Sequence, residues 1–277
     1  MVKRSKNIIF SCILLLTALF RASYAQEVPK QWPHIRSVKT PKVHKVSIDR
    51  HDFLYIADDR GNVHKYDTIG NLLLTYSPRQ NNEVSILEAW RKVNILVFNR
   101  NFQEYVILDR FLTQSPIYRL RAEQIGFARL LTYAADNNLW IVDEKDFSLK
   151  KFNLRFNKVE VLTPLDFILN PSKYEMTFIR EYQNLLFISD RNSGILVFDN
   201  LGNFKTKLPF LNVQYFSFRG DELYFIANDR LTIYNLYSKK EVVLDLPTQF
   251  KFNYMLLIKD KAYGFTATGM EVFALPK

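Results

Sequence analysis

The sequence predicts an all-β protein: a six-bladed β-propeller with four antiparallel strands per blade, its ring closed by an N-terminal strand that completes the last blade. Three observations lead there. An apolar, β-rich run ending in Asp or Asn recurs at intervals of about 40 residues, the period of a propeller blade. Each such run is followed, after a polar turn, by a second run with the same kind of ending. The last unit stops one strand short, while a spare strand-like segment stands near the start of the chain.

The clearest unit spans 185–209. It reads Leu185-Leu-Phe-Ile-Ser-Asp190, a polar turn Arg191-Asn-Ser-Gly194, Ile195-Leu-Val-Phe-Asp199, a Gly turn, and Phe204-Lys-Thr-Lys-Leu-Pro209: three consecutive antiparallel strands. Aligned on it, second strands fall at 53–58, 95–99, 139–143, 185–190, 223–228 and 262–266, and five of the six end in Asp or Asn. Third strands fall at 63–67, 105–109, 149–153, 195–199, 231–235 and 270–274, with last residues 42, 44, 46, 36 and 39 positions apart. A closing Asp or Asn has a physical use, because its short side chain bonds the backbone two residues on and opens the turn. First strands at 43–48, 84–90, 128–133, 176–179, 213–218 and 252–258 are apolar on both faces, as innermost strands packed between blades should be. Fourth strands at 72–76, near 117–120, and at 159–162, 204–208 and 242–246 are often followed at once by Pro, as at Pro78, Pro164, Pro209 and Pro247. The sixth unit ends with Ala274-Leu-Pro-Lys277, so its fourth strand is expected from Ile35-Arg-Ser-Val-Lys-Thr-Pro41, which removes an open sheet edge and ties down both ends.

Before any fold, the first residues read as a secretory signal. Lys3, Arg4 and Lys6 precede an apolar run at 8–20, and Ser23-Tyr24-Ala25 offers a cleavage site. The expected organisation is therefore a signal peptide at 1–25 and a single propeller domain at 26–277, of which 26–41 form an N-terminal arm and closing strand. The apolar run is too short to span a bilayer, and no later stretch approaches the roughly 20 apolar residues a membrane helix needs, so the mature chain is expected to have no transmembrane segment. Cys12 is the only cysteine, and it sits early in that run, whereas a lipid-attachment cysteine would follow it. Cleavage leaves no thiol, which excludes disulfides, thiol catalysis and cysteine-held metal. Residues 1–25 hold four basic groups and no acid, so removing them lowers the formal charge from +10 to +6. An exported, moderately basic protein meets anionic lipid, lipopolysaccharide, glycan or acidic protein rather than nucleic acid.

No pattern of catalytic chemistry stands out. There is no Gly-x-Ser-x-Gly elbow, phosphate-cradling Gly loop or pair of carboxylates on one face, so no catalytic residue, cofactor or metal ligand is assigned. His34, His44, His51 and His64 have no zinc spacing. First strands offer mostly aliphatic and aromatic side chains, with Glu88 a lone acid, which argues against a metal held in the channel. The candidate site lies instead in the turns joining second to third strands, which gather at one end of a propeller. They carry Arg60, Arg100, Lys145, Arg191 and Arg230, a recurrent set of cations suited to carboxylate or phosphate on a partner. The competing reading is that the Asp and Asn residues merely form turns and the cations are solvated. Trp90 and Trp140 read as core, and Trp32 as packed on the last blade.

The unit at 185–209, and the one at 53–76 with Asp58-Asp-Arg-Gly-Asn-Val63 and Tyr66-Asp-Thr-Ile-Gly-Asn71, resemble the NHL repeat and related six-bladed propellers of the YWTD type. The other units share the pattern more loosely, and the sixth lacks the Asp or Asn after its second strand. The resemblance implies a binding platform for protein, or for RNA in some cytoplasmic members, while a minority of such propellers are hydrolases, lactonases or lyases with a metal in the channel. A repeat signature carries no activity with it. The expected function is an exported, non-catalytic interaction platform or subunit of a cell-envelope complex, in the periplasm or at the outer membrane. The alternatives are a metal-dependent hydrolase or lactonase, and a glycan- or lipopolysaccharide-binding module.

Overall fold

The computed structural model describes residues 32–90 and 94–276, so the expected signal peptide at 1–25 and the start of the arm lie outside the described residues. The described chain forms six four-stranded antiparallel sheets. Blade 1 is β2 (Lys45–Ile48), β3 (Leu54–Ala57), β4 (Val63–Tyr66) and β5 (Leu72–Tyr76). Blade 2 is β6 (Ile86–Glu88), β7 (Ile95–Asn99), β8 (Glu104–Leu108) and β9 (Tyr118–Arg119). Blade 3 is β10 (Ala128–Tyr133), β11 (Leu139–Asp143), β12 (Ser148–Asn153) and β13 (Lys158–Pro164). Blade 4 is β14 (Met176–Tyr182), β15 (Leu185–Asp190), β16 (Gly194–Asp199) and β17 (Phe204–Leu208). Blade 5 is β18 (Phe216–Arg219), β19 (Glu222–Ala227), β20 (Arg230–Asn235) and β21 (Glu241–Asp245). Blade 6 is β22 (Tyr254–Ile258), β23 (Lys261–Phe265) and β24 (Gly269–Ala274), completed by β1 (His34–Lys39) from the other end of the chain.

That closing strand is the displaced one expected from the sequence. It sets Val38 opposite Met270 and Ser37 opposite Glu271, and Ala274 N donates to Pro33 O at 2.9 Å. Most β1 side chains are exposed, so the seam is held by the backbone ladder and a few anchors. Ser37 Oγ donates to Glu271 Oε2 at 2.5 Å, and Trp32 Nε1 donates to Asp245 O at 2.7 Å while its ring meets Phe273 edge-on at 5.9 Å. Trp32 is thus docked.

Inner strands are apolar on both faces because each is sandwiched between neighbouring blades, where Ile86, Leu131, Ile179, Phe216 and Leu256 are buried. Every joint between consecutive blades also carries a polar fastener. In ring order these are Ala89 N to Ser47 Oγ (2.9 Å), Thr132 Oγ1 to Glu88 Oε2 (2.7 Å), Trp140 Nε1 to Glu181 Oε2 (2.8 Å), Arg180 Nη1 to Ser217 Oγ (3.1 Å), Leu257 N to Tyr224 Oη (3.0 Å) and Tyr254 Oη to His44 O (2.7 Å).

The turns behave as their residues demand. Asp67, Asp109 and Asp199, each just past or at the end of a third strand, accept from the backbone N–H two and four residues on, all at 2.8–2.9 Å. Several strand bounds differ from expectation, the inner strand of blade 2 among them at 86–88 instead of 84–90, and two of the differences have a plain cause. The innermost strand of blade 4 runs to Tyr182 instead of stopping at Ile179, because Arg180 and Glu181 find partners on the flanking blades and are buried with them. The outer strand of blade 2 shrinks to two residues because Ser115 takes over the ladder, its Oγ accepting from Ile107 N and its N–H donating to Ile107 O.

Candidate functional site at the mouth of the ring

The turns joining second to third strands and the segments joining successive blades lie at one end, stitched together by backbone hydrogen bonds. Asn82 N donates to Arg60 O, Glu144 N to Phe127 O, Asn212 N to Arg191 O and Leu246 N to Asp229 O, at 2.8–3.2 Å. Contact is close: Gly61 has φ +87°, and a Cβ there would lie 2.1 Å from Asn82 O, so only glycine fits both the turn and its neighbour. Asp58 fixes the same turn by accepting from Arg60 N and Asn62 N, both at 2.9 Å. Buried Asp143 fixes the equivalent turn in blade 3 through Gly126 N, Phe127 N and Lys145 N.

On the ring axis at this end is a pocket of about 180 Å³ to which all six blades contribute. Its wall includes Lys45 from blade 1, Glu83, Ser85 and Arg100 from blade 2, Arg129 from blade 3, Thr177 and Phe178 from blade 4, Gln214 and Tyr215 from blade 5 and Tyr254 from blade 6. Arg129 is committed, with Nη1 on Glu144 Oε1 at 2.6 Å and Nε on Met176 O at 3.0 Å. Glu83, the one acid in the wall, lies 3.0 Å from His44 Nε2. The Lys45 and Arg100 side chains make no hydrogen bond or ion pair with any described residue. Burial pulls the Lys45 ammonium below its ordinary range, and the neighbouring Arg100 charge adds to this against the opposing pull of Glu83. Burial pushes the Tyr254 hydroxyl well above its ordinary range, which keeps it a donor, here to His44 O.

Of the five cations singled out in the sequence, the structure brings only Arg100 to the axial pocket. Arg191 lines a second hollow of about 430 Å³ beside it, shared with Gln214, Tyr215 and Tyr254, and is paired to Glu175 at 2.8 Å. Arg60 and Lys145 are exposed on their turns, and the exposed Arg230 is paired to Asp245 at 2.9 Å. Sequence reasoning missed Lys45 and Arg180. Lys45 stands in a first strand otherwise read as core, and Arg180 lies in a Arg-Glu-Tyr stretch that looks like a strand end.

His64 is buried and satisfied, with Nδ1 3.1 Å from Thr75 Oγ1 and Nε2 3.3 Å from Asp58 Oδ2. Among the described residues, no three His, Cys, Asp or Glu side chains gather into a group that could hold a metal ion.

No family model matches the chain, and no curated protein matches it. Solved structures do. The chain is similar to virginiamycin B lyase from Staphylococcus aureus, at 10% identity over 87% of this chain and 98% of that one, with a TM-score of 0.59. It is similar to BamB from Moraxella catarrhalis, at 8% identity over 88% and 98% of the two chains, with a TM-score of 0.53. It is also similar to the extracellular domain of a putative one component system from B. thetaiotaomicron, at 13% identity over 85% of this chain and 34% of that one, with a TM-score of 0.57. At these identities the likeness is one of fold.

Proposed function

We propose that this chain is an exported, non-catalytic interaction platform of the cell envelope, cleaved after residue 25, whose single domain at 26–277 engages a protein partner through the mouth of the ring. The observation that supports the reading is the stitched set of turns at that end, beside an axial pocket built from all six blades; we assign partner contact to Arg60, Arg100, Lys145, Arg191 and Arg230 on those turns. A closed ring holds such turns at fixed separations while leaving their side chains outside the core, which is what a recognition surface requires. Two of the similar folds are BamB and an extracellular domain, in keeping with an envelope setting.

The test is capture by cross-linking in intact envelopes, comparing the native chain with one in which Arg60, Lys145 and Arg230 are all changed to Glu. All three are exposed, and among the described residues only Arg230 has an ion pair, so the ring should fold unchanged. Loss of a defined cross-linked complex supports the reading, and an unchanged cross-linking pattern removes it. The same cations favour a second reading, an anionic glycan or lipopolysaccharide. It would show instead as binding to purified lipopolysaccharide that weakens steeply between low and physiological salt.

A further inference from the structure

Arg180 is fully buried, and its guanidinium is two-thirds idle. Nη1 donates to Ser217 Oγ, but Nε and Nη2 have no hydrogen-bond partner among the described residues. No carboxylate of the described residues lies within ion-pair distance of it. Its neighbours are aromatic faces: Phe178 at 4.9 Å, Tyr215 at 5.7 Å and Trp90 at 5.9 Å from the guanidinium carbon. Ring faces attract a cation but cannot accept its in-plane N–H bonds, so the charge remains uncompensated in a low-dielectric interior.

Phe178 and Tyr215 are also wall residues of the axial pocket, so this charge lies directly behind that wall. The Tyr215 hydroxyl is a second orphan: the residue is 7% exposed, and its Oη has no hydrogen-bond partner among the described residues. In front of the wall stand Lys45 and Arg100, both without a hydrogen bond or ion pair to any described residue and close enough for one to depress the other's protonation. Lys45 of blade 1, Arg100 of blade 2 and the Tyr215 hydroxyl of blade 5 therefore face a single small volume whose wall holds one acid, Glu83, while Arg129 of that wall is taken up by Glu144 and the Arg180 charge lies behind it. A buried polar group left unmatched calls for a partner, and a bound ion is one that would supply it.

We propose that the axial pocket binds a single oxyanion of the carboxylate or phosphate class, held by Lys45, Arg100 and the Tyr215 hydroxyl, with the buried Arg180 charge behind it. The site names what enters the mouth, and it rests on the platform reading only for the idea that the anion belongs to a partner. A pocket of about 180 Å³ admits a carboxylate or phosphate group but nothing larger than a side chain or a chain end. Guanidinium and ammonium groups acting together suit a planar or tetrahedral oxyanion better than a halide.

The test is titration of the purified exported protein with inorganic phosphate and with acetate, at constant ionic strength set by chloride, read by calorimetry and by the thermal midpoint. The native chain should show saturable one-to-one binding of at least one of the two ions and a rising midpoint. The double variant Lys45→Met/Arg100→Met should weaken it at least tenfold, while Lys145→Met, outside the pocket, should leave it within twofold. A tripeptide with a free carboxylate, set against its amide and against acetate, assigns the source: tighter binding than acetate identifies a chain end, and equal binding a free ion. Absence of saturable binding in the native chain, or equal binding in the double variant, overturns the site. Because rim variants test the platform and pocket variants test the anion, either can fail while the other stands.

Discussion

Asp143 ends β11 fully buried, and its carboxylate accepts from Gly126 N at 2.7 Å, Phe127 N at 2.9 Å, Lys145 N at 3.0 Å and the Lys150 ammonium at 2.6 Å. Burial alone would raise its pKa, but Lys150 and the three backbone donors outweigh it and hold the carboxyl below the usual range. A depressed folded-state pKa means stability that is present above the unfolded value and lost as the pH falls through the folded one. Asp143→Asn should therefore cost about 3 kcal/mol near neutrality, the low end for breaking a buried pair because Lys150 keeps Asp146 at 2.6 Å. That is a drop of roughly 6–12 °C in the thermal midpoint for a domain of this size. The gap to the native chain should close as the pH is lowered past 4, where the unfolded carboxyl of about 3.9 takes its proton; equal midpoints at pH 7 would disprove the account. The turn role of Asp143 was legible in the sequence because it is local, a side chain reaching two residues along its own backbone. Its pairing with Lys150 was not, since Leu149-Lys-Lys-Phe152 reads as a strand with solvated cations and only the packing of blade 3 buries one of them. Arg180 was hidden for the same reason: a guanidinium on an innermost strand contradicts every local expectation, and only the neighbouring blades supply its surroundings.

At the scale of the element, the seam between β1 and β24 was legible because an incomplete last unit demands a donor strand, and the 35–41 segment carried the strand-then-Pro signature of the other outer strands. What the sequence did not show is how the seam meets blade 1. Gly70, with φ +93°, ends the turn before β5, and a Cβ there would lie 2.4 Å from Val38 Cγ2 on β1. Gly70→Ala is thus penalised twice, by the left-handed backbone and by the clash, for about 2 kcal/mol together. Adding Val38→Ala should relieve the clash but not the backbone strain, so the double variant should be more stable than the sum of the single effects predicts. Strict additivity in chemical denaturation would show that the seam does not press on that turn. Beginning the chain at Lys42 removes β1 altogether and leaves β24 as an open edge whose own side chains are mostly buried against β23 and its neighbours. Such an edge pairs with other chains, so the shortened protein should run at a larger apparent mass in size-exclusion chromatography than the full domain with β1 in place.

Across the whole molecule the six joints are not equal. The joint between blades 1 and 2 involves the shortest inner strand, the three residues of β6, and blade 2 also has the shortest outer strand. Its outer side is held by a separate apolar cluster that includes Tyr55, Val63, Leu87, Val97 and Leu108, next to a cavity of about 280 Å³ between Tyr76, Val84, Val106 and Ile117. The large core around Trp140, Phe187, Phe198 and Phe216 takes in residues of all six blades, and a third cluster that includes Tyr224, Leu231, Leu257 and Phe273 joins blades 5 and 6, but neither is flanked by so short a pair of inner and outer strands. Local opening follows local packing, so amides of β6 to β9 should exchange with deuterium well before those of β11, β15 and β16. The two free cations of the axial pocket stand on either side of this weak joint, Lys45 on blade 1 and Arg100 on blade 2. An oxyanion touching both would tie the blades together, and a ligand that binds only the closed arrangement stabilises it by mass action. Saturating phosphate or acetate, whichever binds, should therefore slow exchange in β2 and in β6 to β8 several-fold while leaving β15 and β16 unchanged. A uniform slowing over all six blades would mean that the anion acts on the fold as a whole and bridges no particular joint.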